Sequence, residues 1–226
     1  MSRVYALVEG QTEQAFIREI LAPFLSPHGV YASAVLLGEP GHKGGIRSFH
    51  VVQRDILSLL KQDGEGYVTT LFDPYGLPGD WPGLQESTQK GTLGGALDVL
   101  CEAMSDRVGK MMEPDFRAER FLPYIQFHEV EAFLFVRPDE TAHLLGDPRR
   151  AEQLQKAKEE CGGCEAINDS ANTAPSKRIE ALFPTYRKGK SVNAHLPRVC
   201  QALGLPVLRG ACPLFNGWVE RLESLA

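Results

Sequence analysis

No stretch of the sequence holds eighteen consecutive apolar residues, so none can cross a bilayer as a helix. Cysteine is scarce and odd in number, five in 226 residues, which argues against a disulfide framework. Histidine is scarce too, and few stand beside the acidic positions at strand ends, which disfavours zinc. GxxxxGK[ST] is missing. The closest approaches, GHKGGIRS and GTLGGALD, lack its Lys-Ser/Thr ending, so a P-loop ATPase is excluded and any ATP hydrolysis must come from a partner. There is no internal repeat and no low-complexity tract. The opening MSRVYALVEGQTE carries an apolar run too short for a secretory leader, and a cytoplasmic location is expected.

The formal net charge is −5, which does not suggest a large nucleic-acid surface. Its distribution is uneven. From Ser176 onward there are eight Lys/Arg against three Asp/Glu, and the rest of the chain is correspondingly acidic. A basic C-terminal quarter on an acidic body can hold a polyanion locally, and it can equally be a solvated face against an acidic partner. Cys161 and Cys164 form a CxxC in ECGGCEA. A structural zinc needs two further ligands, and a redox pair opens a helix after a strand. This pair follows a charged helical stretch, and a Gly-rich helix stop is the simpler reading.

Arg3–Val8 reads as a buried strand, Thr12–Phe24 as a helix with Ala15, Phe16, Ile20 and Leu21 on one stripe, and Val30–Leu37 as a second strand. A Gly-rich loop with His42, Lys43 and Arg47 leads to a helix over Phe49–Leu60. YVTTLFD is a third strand ending at Asp73, PYGLPGDWPG interrupts any regular element, and Thr92–Met112 is a long helix. FLPYIQF reads as a fourth strand, with a helix directly after it in HEVEAFLF. Beyond Pro138 the pattern is helical only, over Glu140–Leu145, Arg149–Glu160, Ser176–Leu182, Val192–Leu203 and Phe215–Leu225. The expectation is an α/β fold with a mostly parallel sheet flanked by helices over residues 1–137, then a helical C-terminal region over 138–226, packed as one unit with the first or separate.

In such sheets ligands bind outside the carboxyl ends of the strands. Three predicted strands end there in carboxylates: Glu9, Asp73 and Glu129, with Glu131 two residues on and Glu13 opening the first helix. Converging hard oxygen ligands suit Mg²⁺ or Mn²⁺. Each residue also has a plainer explanation. Glu13 complements a helix dipole, Asp73 before Pro74 starts a turn, Glu129 and Glu131 are charges at a helix start, and His128 alone reads as a buried, satisfied histidine. Together they point to a cation, because burying like charges is costly without one.

These residues carry a family resemblance. VEGQTEQAFIREIL resembles the opening motif of Toprim-like domains, in which an apolar strand ends in Glu-Gly before a helix with a second Glu. VEGQTEQAF, TTLFDPYGLPGDWPG, YIQFHEVEAFLF, NDSANTAPSKRI and CPLFNGWVERLE, in that order, resemble the bacterial family DUF4276. The Toprim resemblance implies a metal held by a strand-end Glu, matching Glu9, and an Asp-x-Asp whose first Asp matches Asp73. Tyr75 stands where the second Asp would be, so Glu129 or Glu131, or Asp80 in the following loop, is expected to supply the missing ligand.

The expected activity is that of a divalent-metal-dependent nuclease. Glu9, Asp73 and Glu129 would hold the metal with Glu13 and Glu131 nearby, and His128 would orient a carboxylate or act as general acid. Ser176, Lys177, Arg178, Arg187 and Lys188 would contact phosphates, Ser176 also capping a helix whose amides bind an anion. Two alternatives stand beside it: a non-catalytic Toprim-like interaction module for an ABC- or AAA-type ATPase of bacterial defence loci, and a small-molecule phosphohydrolase. A homo-oligomer is compatible with all three.

Overall fold

A computed structural model of the chain describes residues 1–38, 48–73, 77–114, 117–167, 173–186 and 192–226. Strand β1 (Ser2–Val8) is followed by α1 (Gln11–Phe16), a π-helical turn (Ile17–Leu21) and α2 (Ala22–Leu25). These three form one helical run, as the apolar stripe predicts. The widened turn precedes Pro23, whose ring and missing N–H disturb the regular ladder. Strand β2 (Val30–Leu36), helix α3 (Phe49–Gln62), strand β3 (Tyr67–Leu71), helix α4 (Leu84–Ser87), helix α5 (Leu93–Met112) and strand β4 (Phe121–Leu122) complete the α/β part.

The sheet has four strands in the order β2-β1-β3-β4, and every pairing is parallel. Alternation sorts the side chains to the two faces. Val4, Ala6, Val8 and Leu71 face one core with the first helical run and the C-terminal helices. Leu7, Val68 and Phe72 face the other, with α3, α5 and Trp81.

The predicted fourth strand is cut short. Pro123 has no N–H to donate, and β4 ends at Leu122. Two buried threonines of β3 take up its polar groups. The Thr69 hydroxyl donates to the Leu122 carbonyl at 2.6 Å, while Thr70 Oγ1 lies 2.8 Å from the Tyr124 carbonyl and accepts from the Tyr124 N–H at 2.9 Å. The chain then rejoins β3 through a bridge between Phe72 and Ile125.

Val130–Phe135, expected as an α-helix, is a 3-10 segment, entirely buried. The C-terminal region comprises α6 (Pro138–Leu144), α7 (Ala151–Glu160), α8 (Pro175–Leu182), α9 (Val192–Leu203), α10 (Leu205–Ala211) and α11 (Pro213–Glu223). α10 has no counterpart among the predicted helices, because Pro206 and Gly210 obscure its short apolar pattern. The first core is continuous from Val4 in β1 to Leu222 in α11, so it spans position 137/138. The Trp218 indole N–H donates to Thr69 Oγ1 at 2.8 Å, and its ring stacks on Tyr124 at 4.6 Å, which ties α11 to the centre of the sheet. Among the described residues no helix is long and apolar enough to cross a membrane.

Candidate functional site at the carboxyl edge of the sheet

From β1 the chain runs to β2 on one side and, through α3, to β3 on the other. Strand order therefore reverses between β1 and β3, the place where open α/β sheets form a ligand crevice. Register puts Val8 opposite Leu71. Glu9 thus stands at the level of Phe72, with Asp73 one residue beyond on the neighbouring strand. Both are half-buried. Gly10 follows in extended conformation and begins α1, and Glu13 lies in that helix's first turn. A Cβ on Gly10 would come within 3.0 Å of Glu13 Oε2, so the carboxylate folds back over the glycine. The VEGQTE motif therefore places Glu9 and Glu13 around one turn at the sheet's edge.

Glu129 is placed differently. Its Oε2 accepts the Ser176 amide N–H at 2.8 Å, at the start of α8. The anion at that helix N-terminus is the chain's own carboxylate. Glu131 is wholly buried, and its charge helps push the Tyr186 phenol and the Cys200 thiol upward, after burial itself, so it lies inside the C-terminal packing. Among the described residues no set of three His, Cys, Asp or Glu side chains is arranged to hold a metal ion. Glu9 and Asp73 reach one edge of the sheet, but the expected three-carboxylate ligand set with Glu129 is not formed.

His128 is 1 % exposed, with Nδ1 3.1 Å from the Glu129 carbonyl and 3.4 Å from Gln126 Nε2. Desolvation pushes its pKa down to about 4, against a smaller upward pull from Glu129, so the ring is neutral near pH 7. A neutral ring is suited to positioning the 126–129 segment and not to donating a proton.

The basic candidates are largely engaged within the chain. Ser176 is buried, exposed Lys177 pairs with Glu180 at 3.0 Å, and Arg178 donates to the Thr173 carbonyl at 2.7 Å and to Cys161 Sγ at 3.6 Å. Arg187, Lys188, Tyr75 and the loop carrying His42, Lys43 and Arg47 lie outside the described residues. Asp80 accepts the Phe49 N–H at 3.0 Å at the start of α3. Cys161 and Cys164 are thiols in a helix stop, as the Gly-rich spacing suggests.

Sequence reasoning missed Glu165. Its two oxygens accept the Leu214 and Phe215 amides, at 3.1 and 2.9 Å, and cap α11. No local pattern announces a carboxylate that serves a helix some fifty residues away.

Fold and edge together define a parallel α/β protein with acidic residues flanking its switch point. The chain belongs to the family described as Domain of unknown function (DUF4276), whose family model matches residues 8–223, nearly the full length. No curated protein and no solved structure matches it.

Proposed function

We propose that this protein hydrolyses phosphodiester bonds of nucleic acid with Mg²⁺ or Mn²⁺, in the manner of Toprim-like nucleases. The observation that supports this most is the placement of Glu9 and Asp73 on neighbouring parallel strands where strand order reverses. Mg²⁺ is commonly bound through one or two carboxylates, with water and substrate phosphate completing its shell. The pair fits that requirement without a closed protein cage. When bound, such an ion neutralises phosphoryl charge and lowers the pKa of a coordinated water. Glu9 and Asp73 would hold it, and Glu13 would orient water from the first turn of α1. His128, neutral and buried, would position the adjoining backbone. Exposed Lys177 would contact the polyanion from the rim. The reading extends to a cytoplasmic bacterial defence role with an ABC- or AAA-type ATPase presenting substrate, since the sequence lacks a Walker A motif. A small-molecule phosphoester would engage the same carboxylates.

The non-catalytic interaction module is favoured by one observation. Among the described residues no three-ligand set is assembled, and Glu129 is committed to α8. Calorimetric titration of Mg²⁺ and Mn²⁺ into the wild type and Asp73→Asn separates the two readings. Hydrolase chemistry requires saturable binding that Asp73→Asn abolishes, together with metal-dependent cleavage of DNA or RNA. Heats identical in both proteins, or cleavage that survives the substitution, leave the interaction module standing.

A further inference from the structure

We propose that strand β2 is a dimerisation edge, pairing antiparallel with β2 of a second copy of this chain about a two-fold axis at Ser33; this goes beyond the hydrolase reading and does not depend on it. β2 and β4 are the two edges of the sheet. β4 is two buried residues stopped by Pro123, a blunted edge. β2 runs for seven residues, VYASAVL, in unbroken register against β1. Charges, prolines and bulges are the devices that keep an exposed edge from pairing, and β2 carries none of them.

The backbone bonds at both ends of β2 fix which groups turn outward. The Ser2 N–H donates to the Gly29 carbonyl at 2.9 Å, and the Leu37 N–H donates to the Val8 carbonyl at 3.0 Å. With Ser2 opposite Val30 and Val8 opposite Leu36, the parallel ladder turns the amides and carbonyls of Tyr31, Ser33 and Val35 toward β1. Those of Val30, Ala32, Ala34 and Leu36 turn away from it. Among the described residues no hydrogen bond is made to that outer row. The side chains divide by face. Ala32, Ala34 and Leu36 pack against the core that holds the first helical run, whereas on the other face Tyr31 and Ser33 are exposed and Val35 is half-buried.

Charge and register select the occupant. The chain carries a formal net charge of −5, so two copies repel each other on approach. β2 holds no Asp, Glu, Lys or Arg, and pairing it with itself sets no like charges opposite one another. An isologous contact requires a patch that matches itself. A two-fold axis at Ser33 does this for the whole strand, placing Val30 opposite Leu36, Tyr31 opposite Val35, Ala32 opposite Ala34 and Ser33 opposite Ser33. Outward-turned residues then meet only outward-turned residues, and each such pair exchanges hydrogen bonds. Tyr31, 44 % exposed, gains Val35 as an aromatic–β-branched partner. The two four-stranded sheets become one continuous sheet. Because the pairing is antiparallel, the two carboxyl edges point in opposite directions, and each chain keeps its own Glu9 and Asp73. A single strand pair is a small interface, which fits a reversible dimer and not an obligate one.

The test is sedimentation velocity of the full chain from about 1 to about 200 μM. The wild type should pass reversibly from monomer to dimer over that range. Ser33→Lys, at an exposed position, sets two ammonium groups face to face at the axis and should raise the dissociation constant about tenfold or more. Ser33→Cys reads the register. Antiparallel partners that share no hydrogen bond have Cα atoms about 4.5 Å apart, within disulfide reach. Oxidised glutathione should therefore cross-link Ser33→Cys into a dimer well above the background set by the five native thiols of the wild type. Tyr31→Cys, which faces Val35 of the second copy and not its own counterpart, should stay at that background. Should Ser33→Lys fail to fold, the cross-link decides. A wild type that remains monomeric throughout overturns the proposal and leaves the edge to a strand of another protein. A dimer that Ser33→Lys leaves intact, or Ser33→Cys that cross-links no more than Tyr31→Cys, overturns it as well.

Discussion

At the amino end of the sheet, Arg3, Asp63 and Arg120 are all engaged with described partners. Arg3 grips both oxygens of Asp63, at 2.7 and 2.8 Å, and the Tyr5 hydroxyl donates to Asp63 at 2.9 Å. Arg120, 5 % exposed, donates to the carbonyls of Gly66, Leu60 and Asp63, closing the end of α3 and the turn into β3. Gly66 is required there, since a Cβ would come within 2.7 Å of Asp63 Oδ2 and 2.8 Å of Tyr5. At the carboxyl end, Glu9 and Asp73 follow neighbouring strands, Glu13 lies in the first turn of α1, and burial keeps His128, in the segment beyond β4, neutral near pH 7. The first end is a structural lock. The second carries carboxylates at the ends of two neighbouring strands. The same parallel sheet produces both, because every strand begins at one edge and ends at the other.

The largest test of this contrast is Arg120→Ala. Three carbonyls lose a charge-assisted donor, and we expect unfolding in urea to show a loss of about 4 kcal/mol, with any metal response of the remaining folded protein intact. A loss below about 1 kcal/mol would mean that water replaces the guanidinium and that this end is not a lock.

Acid titration separates the two ends by pH. The folded pKa of His128, about 4, lies below its unfolded value near 6.5. Its contribution is therefore complete above about 6.5 and is lost as pH falls toward 4, amounting to about 3 kcal/mol. Asp63 is held below the usual carboxylate range, chiefly by its hydrogen bonds to Arg3 and against the smaller opposing effect of desolvation. Its contribution is present above the ordinary Asp pKa and is lost only at lower pH. His128→Gln should flatten the first limb of the stability curve, and Asp63→Asn the second. A His128→Gln protein with an unchanged limb between pH 6.5 and 4 would assign that limb to other groups.

Metal addition probes the carboxyl end alone. At an ion concentration a hundredfold above the dissociation constant, binding to the native state should add about 2.7 kcal/mol of stability. Glu9→Gln and Asp73→Asn should each remove that gain, while Arg3→Ala should not. Equal gains in all four proteins would break the assignment of the edge as a metal site.

The smallest effect is expected at Glu129. Glu129→Gln keeps an acceptor for the Ser176 amide and removes only the charge at the start of α8, so melts should show a loss of about 0.5 kcal/mol and an unaltered metal response. A metal response lost in this variant would return Glu129 to the ligand set.

The parallel α/β class is legible in the residue pattern, because strand and helix periodicities alternate cleanly up to Pro138. So are the strand-end positions of Glu9 and Asp73, since VEGQTE and YVTTLFD carry their own boundaries. Periodicity could not show that Pro123 would stop β4 after two residues, since the replacement partners, the Thr69 and Thr70 hydroxyls, lie more than fifty residues away. The fates of Glu129, Glu131 and Ser176 depend on packing alone. Glu129 turns to the start of a helix, and Glu131, two residues along the chain, is swallowed by the core. A charge pattern states which groups are present. Which of them meet depends on contacts between segments far apart in the chain, and those are set by burial and hydrogen-bond satisfaction across the whole core.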